Sequence, residues 1–478
     1  MKAGFAERDI TPEAGMERPG GYGKAYHDGN VHDPCKVRVG VFDDGIDKVV
    51  LIGVDTLAVP RSFVLNVRKR AYETCGINPD AVMIGASHSH SAGPLGMIVP
   101  GYFNYASDMV KHLAYEKSSN ANPEYIQQVE DATVEAITEA DKSRITAKCG
   151  TGAGHENKAC FNRRFRMKDG ITCTHPGKCN PDIIEPAGPI DPEVGVVGAW
   201  DSEDNLLGCV VNYACHGTTG PGGTSADWIY YLEKTIRGVM GDNAIVVFLN
   251  GACGDVTQVD NQDPYSVDFG ERSARYVGTR VGAEAVKVLV SIEPGKLKPI
   301  KFLTNIIPIK RRIPSEEKLT KALDIVQKTP SDVGATEWTF AKETVLLKAV
   351  IEKKTFADVE IQAIQIGPAV FLANPAEFFC QYGLDLKNGS QFPFTFPVEL
   401  ANGCIGYVPT EEAMGEHGGG YETRLTSYSN LEVRAGHMIV EGLIDLTRQL
   451  TPGEVPMPSK SPVRKERWTY GNVKPEIT

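Results

Sequence analysis

Ser87-His88-Ser89-His90-Ser91 is the stretch best equipped for chemistry. Histidine is the commonest metal ligand and the usual acid–base group near neutral pH. Two histidines at i and i+2 fall on one side of an extended chain, so both would face the same space. The pair would serve equally as hydrogen-bonded loop histidines, and the motif by itself does not separate these uses. A third histidine, His216, follows the apolar run that ends in Asn212-Tyr213-Ala214-Cys215. Glu377 stands between apolar residues in Ala376-Glu377-Phe378-Phe379. A carboxylate buried there without a partner is costly, so it calls for a cation or a metal. Arg163, in Phe161-Asn162-Arg163-Arg164-Phe165, would by default make a surface ion pair. Tyr407 and Tyr421 lie in or beside glycine-rich loops.

The elements that carry these residues alternate between strand and helix. Val37, Val39 and Val41 alternate with polar or small residues, as a strand does. Val49 to Asp55 is a nearly continuous apolar run suited to a strand buried on both faces. Asp55 at its end reads as either a carboxylate supporting a site or a helix cap. Val64, Val67, Ala71 and Cys75 recur at helical spacing, and 81–85 reads as the strand that delivers the two histidines. Ile126 to Ile137 marks an amphipathic helix. Residues 101–123 and 150–193 read as long loops near the site, and 194–211 as a hairpin. Asp227 is placed to cap a helix starting near Trp228. Ala244 to Leu249 is a further strand, closed by Asn250 to Thr257, and a long helix follows over 269–290. Helical patterns recur near 315–327, 336–352 and 435–450, and 361–373 reads as a pair of strands. Several strands therefore end in small and polar residues. The expectation is an α/β fold with a mixed β-sheet core flanked by helices and catalytic loops at strand ends.

Composition bounds the rest. A chain of 478 residues, 41% hydrophobic and 23% charged, is an ordinary globular protein with a deep core. A net charge of −11 argues against a nucleic-acid partner. No apolar run approaches the roughly 20 residues that span a bilayer. Met1 to Asp9 has no signal-peptide core, which points to a cytoplasmic protein, or to a secreted or periplasmic one whose leader has been removed. The eleven cysteines are odd in number and scattered, without a Cys-x-x-Cys pair, and read as reduced and mostly buried.

In chain order, these stretches resemble the neutral/alkaline, non-lysosomal ceramidases. The matching segments are Asp9-Ile10-Thr11-Pro12, Gly21-Tyr22-Gly23, Ser87 to Ser91, Asn162-Arg163, His216-Gly217-Thr218, Asn250 with Gly254-Asp255-Val256, Ala376-Glu377-Phe378 and Tyr407-Val408. The resemblance covers roughly 1–450, leaves 451–478 as a tail and 291–358 as a helical subregion, and lacks the family's C-terminal immunoglobulin-like domain. It implies a Zn²⁺ site formed by His88, His216, Glu377 and Tyr407. It implies His90, Tyr421, Arg163 and Thr257 as catalytic or substrate-contacting residues. Tyr421 aligns once about two residues are inserted. Thr257 stands where the family has serine, Gln258 where it has proline, and Ala376 where it has glycine.

Two imidazoles, a carboxylate and a phenolic oxygen suit zinc, which accepts nitrogen and oxygen donors. A zinc-activated water attacking an N-acyl amide is the chemistry implied, with ceramide or a more polar N-acyl compound as the small-molecule partner. Two other classes fit the same residues. One is a metal-dependent ester or phosphoester hydrolase with Asp55, Asp227 and Asp255 on a second metal. The other is a zinc-containing binding protein weakened in turnover by the Thr257 change.

Overall fold

The computed structural model describes residues 1–21, 23–468, 470 and 472–478. Tyr22, part of one motif above, lies outside the described residues.

Two sheets packed face to face form the centre. The first runs, in spatial order, Val82–Ala86, Lys48–Val54, Lys36–Asp43, Lys2–Asp9 and Ile145–Thr146. The second runs Ile245–Asn250, Leu206–Tyr213, Glu193–Trp200 and Lys148–His155. Valine and isoleucine dominate the strands at the contact, and Val49 to Val54 is buried throughout because both faces are covered. Gly53 permits the closest approach: a Cβ there would meet the backbone carbonyl of Phe248 in the facing sheet. Helices Arg61–Cys75 and Pro123–Lys142 cover the outer face of the first sheet, and Trp228–Met240 and Glu271–Leu289 that of the second. The result is an αββα sandwich. The second of these helices starts on signals in its own sequence: Pro123 at its first position, and Asn122 accepting hydrogen bonds from the Glu124 and Tyr125 amides.

A third sheet, Ile300–Lys310, Phe356–Ile366, Ala369–Ala373 and Phe394–Val398, adds to this core. Helix Ala435–Arg448 packs on it and on helix Cys380–Gly389. Each of the three sheets contains one parallel pair: Lys48–Val54 with Val82–Ala86, Leu206–Tyr213 with Ile245–Asn250, and Ala369–Ala373 with Phe394–Val398. His88, His216 and Glu377 follow the C-terminal ends of these strands, where ligands bind in open α/β sheets.

Several expectations are corrected. Residues 150–193 are strand-rich, with Lys148–His155, Arg164–Met167, Thr172–Thr174 and Ile183–Pro186 among their elements. Gly150, Gly152 and Gly154 alternate on one face of Lys148–His155 that is closed by Glu284, Val288 and Ile292, so these three glycines reflect tight packing against helix Glu271–Leu289 and the turn after it. Residues 101–123 contain helix Asp108–Tyr115, which packs on helix Ala335–Lys353 through Val110 and Leu113. The 291–358 stretch holds strand Ile300–Lys310 besides its helices. Its alternation is hidden by side chains that are half-exposed along most of the strand. Asp55 neither caps a helix nor faces the histidines. It is buried against Arg38 Nη1 at 2.7 Å and accepts the Lys36 amide at 2.8 Å, while Arg38 also pairs with buried Glu233.

Arg38 is the cation that lets Asp55 and Glu233 be buried between sheet and helix. Arg38→Ala is therefore expected to cost about 3–5 kcal/mol in urea unfolding, because it leaves Asp55 as a lone buried charge. Lys301→Ala at the surface, which removes only a solvent-screened pair with Asp47, should shift the same titration by no more than about 0.5 kcal/mol.

Candidate active site

Three imidazoles meet where the first two sheets end. His88 lies two residues past strand Val82–Ala86, and His216 lies three past Leu206–Tyr213. His88 has φ +62°, so the two histidines of the His-x-His motif converge through a left-handed turn and not through strand alternation as expected. Ring centroids are 4.9 Å apart for His88 and His90 and 4.4 Å apart for His88 and His216.

Backbone carbonyls set the protonation of all three rings. His88 Nδ1 donates to the Leu57 carbonyl at 2.8 Å, and His216 Nδ1 to the carbonyls of Cys253 and Val256 at 2.7 and 3.1 Å. His90 Nδ1 donates to the Gly20 carbonyl at 3.2 Å. A carbonyl only accepts, so each Nδ1 carries the proton and each Nε2 turns a lone pair inward. His88 Nε2 and His90 Nε2 are 3.4 Å apart. Glu377 Oε2 lies 3.4 Å from His88 Nε2 and 3.7 Å from His216 Nε2. Buried His216 Nε2 and Glu377 Oε2 have no hydrogen-bond partner among the described residues. Donors at about 2.1 Å from a tetrahedral zinc would be about 3.4 Å from each other, so the spacing fits that ion. His88, His90 and His216 also offer ring nitrogens that all lie within 4.8 Å of one another, close enough to hold a metal.

Charge in the cluster is distributed unevenly. Burial and the neighbouring His88 push His90 down to about 3, and burial together with Arg163 and His88 holds His216 well below its ordinary value. Burial alone would raise Glu377, but its contacts with His216 and His88 hold it well below the usual carboxylate range. Burial opposes a charge on His88, and the Glu377 contact outweighs it and raises this ring.

Tyr407 reaches the same space by strand register. Ala376–Phe378 pairs in parallel with Gly406–Val408, and Glu377 stands opposite Tyr407. Tyr407 and Tyr421 bring their hydroxyls within 3.0 Å of one another. Arg163 Nη2 donates to Tyr407 Oη at 3.3 Å and to the Gly254 carbonyl at 2.8 Å, with its guanidinium over both phenol rings. Burial raises both phenols above their ordinary value, and the Arg163 charge opposes that rise.

The structure thus brings together His88, His90, His216, Glu377, Tyr407, Tyr421 and Arg163. The expected surface ion pair of Arg163 is instead fully internal: its Nε donates at 2.9 Å to Glu422, whose other oxygen accepts from Thr174 at 2.7 Å. Thr257 follows Val256, whose carbonyl accepts from His216 Nδ1, but its hydroxyl donates to Gln258 Oε1 at 2.7 Å and lies 3.2 Å from the Thr218 hydroxyl. The acids suggested for a second metal sit in separate networks. Asp255 accepts from Asn162 and the Cys380 amide, and Asp227 accepts from Thr219 and caps its helix at Trp228, as expected.

Three contributing residues were missed by motif reading. Glu422 adjoins Tyr421 inside an already noted loop. Glu399 sits between Val398 and Leu400, the same apolar setting that drew attention to Glu377. Gly20, φ +91°, directly precedes the Gly21-Tyr22-Gly23 segment; a Cβ there would overlap the His90 ring.

Solved structures share this fold. A ceramidase complexed with C2 matches with a TM-score of 0.69 at 18% identity, covering 97% of this chain and 77% of that one. The neutral ceramidase from Pseudomonas aeruginosa matches with a TM-score of 0.67 at 18% identity, covering 96% of this chain and 76% of that one. No family model and no curated protein matches the sequence. The fold implied by the ordered motifs is therefore the one observed.

Glu422→Gln leaves the Arg163 guanidinium buried without its carboxylate. The expected result is a loss of about 3–5 kcal/mol in unfolding free energy, measured by urea titration of the metal-free protein.

Proposed function

We propose that this chain is a zinc-dependent hydrolase of N-acyl amides, acting on ceramide or on a more polar N-acyl compound. The observation that carries this reading is the convergence of unpartnered His216 Nε2 and Glu377 Oε2 with His88 Nε2 at ligand spacing. The fold shared with ceramidases supports an amide as the bond cleaved. In this reading residues 1–450 are the hydrolase unit and 451–478 a tail.

His88, His216, Glu377 and Tyr407 would hold the ion. When bound, zinc supplies a Lewis acid for the amide carbonyl and lowers the pKa of water toward neutrality. The other residues handle protons and charge. His90 is anchored through Nδ1, which leaves Nε2 facing the cluster, where it can relay a proton from water to the departing amine. Tyr421 keeps its phenolic proton and can donate a hydrogen bond to the oxyanion that develops on the carbonyl oxygen. Arg163 holds both phenols in place and adds positive charge beside them. Overall the C–N bond breaks, water oxygen joins the acyl carbon, and the amine leaves with the proton. Thr257, with its hydroxyl tied to Gln258, shapes the wall beside His216.

Release of free amine from long-chain ceramides, short N-acyl amino compounds and N-acyl sugars tests the reading on zinc-loaded and metal-stripped protein. Cleavage of at least one amide class is expected, lost on stripping and restored by zinc. Full activity after verified metal removal would overturn the mechanism. No amide cleavage would overturn the bond class. In the same assay Gly20→Val should displace His90 and reduce turnover by roughly 100-fold, the order expected for a misplacement near 1 Å.

A further inference from the structure

Glu399 is a fully buried carboxylate at the C-terminal end of strand Phe394–Val398. Its Oε2 accepts hydrogen bonds from the amides of Cys253 at 2.9 Å and Phe378 at 2.8 Å, and its Oε1 accepts from the Cys253 thiol at 2.9 Å. Among the described residues no lysine or arginine pairs with it. Both anchored peptides lead directly to candidate ligands. Phe378 follows Glu377, and the Cys253 carbonyl receives His216 Nδ1.

Burial pushes the Glu399 carboxyl up to about 7, so its hydrogen bonds alone do not hold it ionised. One oxygen receives both amides, so a neutral glutamine would serve them equally well. A buried carboxylate without a cation is expensive, and such a charge persists where something nearby compensates it. The compensation available here is a divalent ion at the histidine cluster. With Glu377 as the anionic ligand, a dication would leave one positive charge at the cluster, and Glu399 is close enough to interact electrostatically with both His88 and Glu377.

We infer that Glu399 is a charge-compensating outer carboxylate of the metal site, which tightens divalent-cation binding without touching the ion. The inference rests on the metal reading proposed above. Glu399 is a positioning and electrostatic residue and contacts neither ion nor substrate.

Glu399→Gln is the direct test because it keeps shape and both amide hydrogen bonds while removing charge. The probe is zinc alone, its Kd measured by competition with a chromophoric chelator on the full chain, alongside the thermal midpoint of the metal-free protein. Zinc affinity is expected to fall about 10- to 100-fold, the range known for outer partners of metal ligands, with the metal-free midpoint unchanged or raised. A purely structural role would lower that midpoint and leave the zinc Kd within twofold, which would overturn the inference. Glu399→Asp keeps the charge on a shorter side chain. It should bind zinc more tightly than the glutamine variant, and equal or weaker binding would overturn the inference. If Glu399→Gln does not fold, Glu399→Asp decides alone: a Kd within tenfold of the parent supports the role of charge, and a larger loss overturns it. If the unaltered chain binds no zinc, the metal reading itself fails; equal binding by parent and glutamine variant sinks only the role of Glu399.

Discussion

Backbone carbonyls behind three imidazoles are the constraint on which the site depends. Leu57, Cys253 with Val256, and Gly20 each receive an Nδ1–H, and every Nε2 lone pair is thereby turned toward one point. No side chain selects the tautomer; the path of the backbone does. These carbonyls come from separate connections between elements, so the chemistry of the cluster is tied to how the sheets pack. Turning several lone pairs and a carboxylate inward costs free energy unless a cation gathers them. The fold accepts that cost at this point.

Three parallel strand pairs, one from each main sheet, supply the geometry. A parallel pair aligns two C-terminal ends, and each end leaves a turn whose amides and side chains are free to meet a ligand. His88, His216 and Glu399 occupy such turns, and Glu377 lies just past one in the short strand Ala376–Phe378. Strain gathers in the same region: His88, Leu400 and Asn402 have positive φ, each at a cost of order 1–3 kcal/mol. Asn402 shows how the strain is held. Its Oδ1 accepts the Ile84 amide at 3.0 Å and its Nδ2 donates to Gln362 at 2.8 Å, which ties the third sheet to the strand that carries the histidines.

Arg163 gives the opposite side of the site its character. It is buried, paired with Glu422 and spread over two phenols, so it lends positive charge to the site without projecting into it. Its hydrogen bond to the Gly254 carbonyl joins this group to the loop that also anchors His216. One short loop, Asn250 to Val256, thus coordinates the tautomer of a histidine, the placement of a guanidinium and the seat of Glu399.

Local sequence by itself determined most of the elements. The apolar runs at 49–54 and 245–249, the alternation at 37–41 and the helical spacing at 61–75 encode their own conformation, because burial and period are properties of neighbouring residues. The donor types were equally legible, since histidine, glutamate and tyrosine beside glycine in otherwise apolar settings signal chemistry or a buried partner. What only the tertiary structure decided is which of these groups meet. Asp55 had the right type and the right strand end, yet it faces Arg38; Glu399 had the same apolar flanks as Glu377 and went unnoticed. The strands within 150–193 were hidden because their glycines answer to a helix far along the chain. Register across the Glu377–Tyr407 pair and a left-handed turn at His88 set the site, and both arise from contacts between segments distant in sequence, which no local period records.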